Sequence, residues 1–97
     1  MNPEELRKDG VEELEVLRRM VLAWKEDYLR SAPSEGAGEY LCGDFSYEIE
    51  EYVYPYLRRM CVTEHIDQAQ ASEFLDFCYR QVHELRDYLK EVEESPS

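Results

Sequence analysis

Twenty-three of the 97 residues are carboxylates, so acid–base chemistry is the first to weigh. Such catalysis needs two carboxyls held in a cleft with divergent pKa values. A small helical chain has little room for a cleft, and Glu12, Glu13, Glu15, Glu48, Glu50 and Glu51 read as solvated faces. Metal binding meets a similar obstacle. A carboxylate-bridged di-metal bundle uses Glu-x-x-His pairs, but Val62 precedes His65 at that spacing and Arg80 precedes His83. Asp76, His83 and Asp87 stand seven and four residues apart, yet Arg80 among them would repel a cation. That row reads as surface pairing, Asp76 with Arg80 and His83 with Asp87. Nucleophilic chemistry would need a cysteine or serine tied to a histidine. Cys78 falls in an apolar stripe, while Cys42 in a long connection and Cys61 near a helix end could be exposed. No catalytic residue, metal or cofactor is expected, and the chain is not expected to be an enzyme.

Tyrosine is the residue type that stands out. There are eight, and four lie between Tyr47 and Tyr56. Exposed tyrosines ringed by charge bury much area at low entropic cost, the usual make-up of a binding hot spot. At about 100° per residue, Tyr52 and Tyr56 fall on the core face of a helix. Tyr47 and Tyr54, seven residues apart, point outward beside Glu51 and Arg58. Tyr47, Tyr54, Glu51, Arg58 and Glu48 are therefore the candidate partner-binding residues.

Charge narrows the partner. Eleven Lys+Arg against 23 Asp+Glu give a formal net charge of −12, which opposes direct binding to nucleic-acid phosphates or anionic lipid. The balance is uneven along the chain. Ser31 to Leu57 holds six acids and no Lys or Arg, and Met60 to Tyr79 holds four more acids, again with no base. Basic residues gather in Arg18-Arg19, Arg58-Arg59 and from Arg80 to Lys90. One end of the folded chain is thus expected to be strongly negative, suited to a basic protein patch.

These side chains must be carried by helices. Asn2-Pro3-Glu4-Glu5 offers an Asn cap, a proline in the first turn and a glutamate three residues on, and Asp9-Gly10-Val11-Glu12 repeats that spacing. A short first turn and a main helix over about 10–30 follow, with Leu14, Leu17, Val21, Trp24 and Tyr28 as its stripe. Proline, serine and glycine then predict a long loop, 31–43. Asp44 can cap a second helix over 44–62, whose core face holds Phe45, Ile49, Tyr52, Val53, Tyr56, Leu57 and Met60. Pro55 should kink or break it. Asp67 and Gln70 open a third helix over 67–93, with Ala71, Leu75, Cys78, Val82, Leu85, Leu89 and Val92 alternating by four and three. Residues 95–97 should fray.

The expected fold is all-α: a small antiparallel three-helix bundle, one domain over 1–97, with the second helix kinked at Pro55. Val11, Leu22 and Leu29 form an extra apolar line on helix 1, so a homodimer through helix 1 or through helix 3 is expected to be open to the chain. The N-terminus lacks the pattern of a signal peptide, and no apolar run approaches the ~18 residues of a membrane span. Three cysteines without CxxC spacing suit a reducing compartment, so a cytoplasmic protein without membrane association is expected. The leading functional expectation is a non-enzymatic protein-interaction module. The alternative is a nucleic-acid-mimicking inhibitor or antitoxin-like protein that binds a basic nucleic-acid-binding protein.

Overall fold

The computed structural model describes residues 2–31 and 38–94, and these form helices joined by one described turn, with no strand among them. The elements are α1 (Pro3–Ser31), α2 (Gly38–Glu48), a π-helical turn (Ile49–Val53), α3 (Tyr54–Val62) and α4 (Gln68–Glu94). The sequence expectations for residues 32–37 and 95–97, and for the side chain of Val92, lie outside the described residues.

α1 is one uninterrupted helix of 29 residues from Pro3, not a short turn followed by a helix from about residue 10. Its cap is the expected one: the Glu5 N–H donates to Asn2 Oδ1 at 2.9 Å, and Asn2 Nδ2 reaches back to Glu5 Oε1 at 3.4 Å. Asp9-Gly10 is interior to the helix, and Gly10 has another purpose. A Cβ built there would lie 2.0 Å from the His65 carbonyl oxygen and 2.7 Å from its carbon. Only glycine lets α1 approach the α3–α4 turn this closely.

That turn closes α3 with a Schellman motif. Glu64 takes a left-handed backbone (φ 65°), its N–H donates to the Cys61 carbonyl at 3.1 Å, and the His65 N–H donates to the Met60 carbonyl at 2.9 Å. The reciprocal cap of α4 follows at once. The Asp67 N–H donates to Gln70 Oε1 at 2.9 Å, and the Gln70 N–H donates to Asp67 Oδ1 at 2.8 Å.

The second rod begins at Gly38 rather than at 44, so Asp44 is interior to a helix and is not its cap. Cys42, placed in a loop by sequence, is instead buried in the core beside Phe45. A π-helical turn stands directly upstream of Pro55, with the Tyr54 N–H donating to the Ile49 carbonyl five residues back. Proline then sits in the first turn of α3, where its missing N–H is tolerated.

The π turn explains which residues reach the core. Phe45, Ile49, Val53 and Leu57, four residues apart at each step, are all buried. Three such steps in an α-helix would drift by about 120°, whereas the wider π turn holds all four on one line. Tyr52 and Tyr56, which α-helical spacing puts on the core face, lie instead on the flank beside α1, 64% and 38% exposed. The remaining core comes from Leu17 and Val21 of α1 and from Phe74, Cys78, Val82, Leu85 and Leu89 of α4.

Contacts fix the order of packing. Tyr56 donates to Glu13, Trp24 packs on Tyr52 and Tyr28 donates to Glu48, so residue numbers rise along α1 as they fall along the middle rod. Arg18 lies over Phe77 and Lys25 bonds to Glu84, so numbers rise together along α1 and α4. The molecule is a narrow rod of 58 × 18 × 17 Å.

Candidate protein-interaction surface

The four-residue line of buried side chains gives the middle rod three other faces. Positions one before the buried line turn toward α1. There Glu48 is half-buried and accepts a hydrogen bond from Tyr28, Tyr52 packs on Trp24 with ring centroids 6.3 Å apart, and Tyr56 donates to Glu13 Oε2 at 2.6 Å. Burial, followed by the bond to Glu48, pushes the Tyr28 phenol above its ordinary range. The Glu13 bond is the main cause of the rise at Tyr56. This flank is a helix–helix seam.

Positions one after the buried line turn toward α4. Tyr54 and Arg58 line a shallow hollow of about 340 Å³ with Leu57, Ala71 and Leu75. Further up the same flank Glu50 lies near Tyr79, whose phenol is pushed up first by burial and then by that carboxylate.

Positions two removed from the buried line form the outer ridge. Tyr40, Tyr47 and Val62 are 78%, 61% and 76% exposed, and Gly43, Glu51, Pro55 and Arg59 are exposed beside them, whereas Asp44, one before Phe45, lies on the α1 flank near Tyr28. At the α3 end, Tyr54, Pro55, Arg58, Arg59 and Val62 enclose a second hollow of about 350 Å³.

The five sequence candidates are therefore divided. Tyr47 and Glu51 stand on the outer ridge, Tyr54 and Arg58 border it on the α4 side, and Glu48 is drawn into the α1 seam. Tyr40 and Gly43 were missed because residues up to 43 read as loop. Their signal was present: Leu41, Cys42 and Phe45 have helical apolar spacing and extend the second helix backward.

Other chemistry-bearing groups are engaged in the fold. Burial pushes the Cys78 thiol up to about 12, and burial also raises Cys42, with Arg86 partly opposing it. Cys61 is half-exposed, with its Sγ 3.7 Å from the Asp67 carbonyl oxygen. Among the described residues no three His, Cys, Asp or Glu side chains group as metal ligands. The expected Asp76–Arg80 and His83–Asp87 pairs do not form. α4 is linked to α1 instead, through Lys25 Nζ bonded to Gln81 at 2.9 Å and to Glu84 at 2.5 Å. The Lys25 hydrogen bond holds the Glu84 carboxyl below its usual range. No helix among the described residues is long and apolar enough to cross a membrane. Comparison with models of protein families, with curated protein sequences and with solved structures finds no match for this chain.

Proposed function

We propose that this chain is a non-enzymatic protein-interaction module. Its docking surface is the outer face of the middle rod, centred on Tyr47, Tyr54, Glu51 and Arg58, and its partner is a protein bearing a basic patch. The observation that carries this reading is the exposure of Tyr40, Tyr47 and Tyr54, each more than half open to solvent. They stand on a stretch whose charges, from Ser31 to Leu57, are all acidic. Aromatic anchors of this kind slow dissociation once they are desolvated, and the negative field speeds encounter with a basic surface. Glu48 does not belong to this surface, because it serves the α1 seam.

The acids of the rod do not favour phosphate mimicry. Glu48 turns toward α1, Glu50 toward α4 and Glu51 outward, so they form no single row. Affinity capture at low and moderate salt, with wild-type chain beside Tyr54→Ala, tests the reading. The partner should bind Tyr54→Ala more weakly by about 1–3 kcal/mol while the variant's thermal unfolding is unchanged. Equal losses of stability and binding would make Tyr54 a core residue and end the proposal.

A further inference from the structure

In a chain with 23 Asp and Glu, carboxylates reach hollow after hollow. Glu15, Glu73 and Asp76 line the groove of about 510 Å³ between α1 and α4, and Asp9, Glu12 and Glu13 line one of about 360 Å³ between α1 and α3. Glu64 and Asp67 line another of about 240 Å³ beside the α3–α4 turn. The two hollows on either side of Tyr54 and Arg58 differ, since no Asp or Glu lines either of them.

The charge these two hollows share is Arg58. Arg58 and Arg59 are the only Lys or Arg between Ser31 and Tyr79. Among the described residues the ion pairs are Arg19–Glu15, Lys25–Glu84 and Arg30–Glu26, so Arg58 has no carboxylate within ion-pair distance. Glu51, two turns before it, stands roughly 10 Å away along the rod. Arg59 borders the ridge hollow but also the one between α1 and α3, where it faces Asp9 and Glu12. Arg58 is therefore the guanidinium with the clearest call for an outside anion.

The walls around Arg58 are apolar. Tyr54, Pro55 and Val62 form the ridge side, and Leu57, Ala71 and Leu75 the α4 side, where Gln68 and Ser72 add neutral hydrogen-bonding groups. A guanidinium between two apolar hollows fits a group with an apolar body and an attached carboxylate. The carboxylate meets the guanidinium fork side-on, and the apolar body displaces the water that would otherwise screen the pair. A polyanion fits poorly, because its further charges would run onto Glu51 and the acids of α2. A protein segment with an acid beside a large apolar side chain ends at the hollows.

We propose that the two hollows flanking Arg58 seat an acidic–apolar segment of the protein partner, its carboxylate on Arg58 and its apolar side chain against Tyr54. This is recognition of an acidic motif by arginine. It rests on the reading of the outer face as a docking surface, and it sets how the partner lies there: its basic patch over α2, its acidic segment over α3.

Random-sequence peptides displayed on phage and selected on the immobilised full chain test the proposal. Selection in about 0.15 M salt screens long-range charge effects, and counter-selection on Arg58→Gln removes peptides bound elsewhere. The retained sequences should place Asp or Glu beside Leu, Ile, Phe or Trp. A synthetic copy of a retained sequence, followed by fluorescence anisotropy, should bind Arg58→Gln more weakly by about tenfold or more. Arg58→Lys, which keeps the charge but loses the fork, should weaken it several-fold, and it carries the test if circular dichroism shows Arg58→Gln unfolded. Arg30→Gln removes the same charge from an exposed site at the far end of α1 and should leave the affinity within about twofold. Retained sequences without acids, or no enrichment over Arg58→Gln, overturn this seat alone, whereas the docking reading is judged separately by the Tyr54→Ala capture. Displacement of the peptide by inorganic phosphate alone would make Arg58 a bare anion site and overturn the proposal too.

Discussion

Alanine at Gly10 would drive a methyl group into the backbone of the α3–α4 turn. In an open helix the substitution would stabilise the protein by about 1 kcal/mol through propensity alone. Here the new Cβ would stand 2.0 Å from the His65 carbonyl oxygen and 3.1 Å from Ile66 Cγ2. The nearest atom is backbone, fixed by two hydrogen bonds of the Schellman turn, so no rotamer change relieves the overlap. α1 must move off the turn, at the upper end of the ~1–3 kcal/mol typical of overpacking. Subtracting the propensity gain leaves a net loss of about 2 kcal/mol. For a chain of this size that lowers the midpoint of thermal unfolding by ~8–16 °C. Gly43→Ala is the control, because its Cβ meets nothing among the described residues. It should raise the midpoint by ~4–8 °C. Thermal unfolding followed by circular dichroism reads both. A Gly10→Ala variant as stable as wild type would refute the close approach of α1 to the turn.

Glu64→Gly should stabilise the chain by about 1 kcal/mol, since it relieves a left-handed backbone at a side-chain-bearing residue; a lower urea midpoint at constant slope would contradict this. Raising the pH should destabilise the protein in the alkaline range. The Tyr28, Tyr56 and Tyr79 phenols are all raised above their ordinary 10.0 in the fold. Their protonated forms therefore add stability that is complete below pH 10 and lost as the pH climbs through the raised values. Tyr28→Phe should flatten that loss in urea titrations at successive pH values. A thiol reagent applied to the native chain should modify Cys61 and spare Cys42 and Cys78, which are buried. Rapid reaction at Cys42 would return that residue to a loop.

The parts of the fold legible in the sequence were those fixed by local chemistry. Asn2 with Glu5 and Asp67 with Gln70 each place a side-chain acceptor three residues from the N–H it serves, and both caps form. The four–three spacing of α4 likewise marks its buried line at Cys78, Val82, Leu85 and Leu89. What escaped depends on contacts distant in sequence or on a helix of different period. Gly10 looked like a helix start because nothing nearby in sequence reveals the His65 carbonyl above it. Tyr52 and Tyr56 were assigned to the core by assuming 3.6 residues per turn across a segment that does not keep it. The repeated four-residue step from Phe45 to Leu57, just ahead of a proline, was the readable sign of a π turn. Of the candidate residues, Tyr47, Glu51, Tyr54 and Arg58 are exposed as α-helical spacing predicts, because none falls on the buried line under either period. Glu48 was misassigned because its partner, Tyr28, lies on another helix.

Stability and binding measured together on a Tyr47→Ala/Tyr54→Ala double variant test the central claim most directly. Both side chains are more than half exposed, so the account predicts thermal unfolding within ~4 °C of wild type. It also predicts loss of about tenfold or more in affinity for whatever protein the wild-type chain retains. A fall of ~8 °C or more in the unfolding midpoint, or undiminished binding by a folded variant, would contradict it.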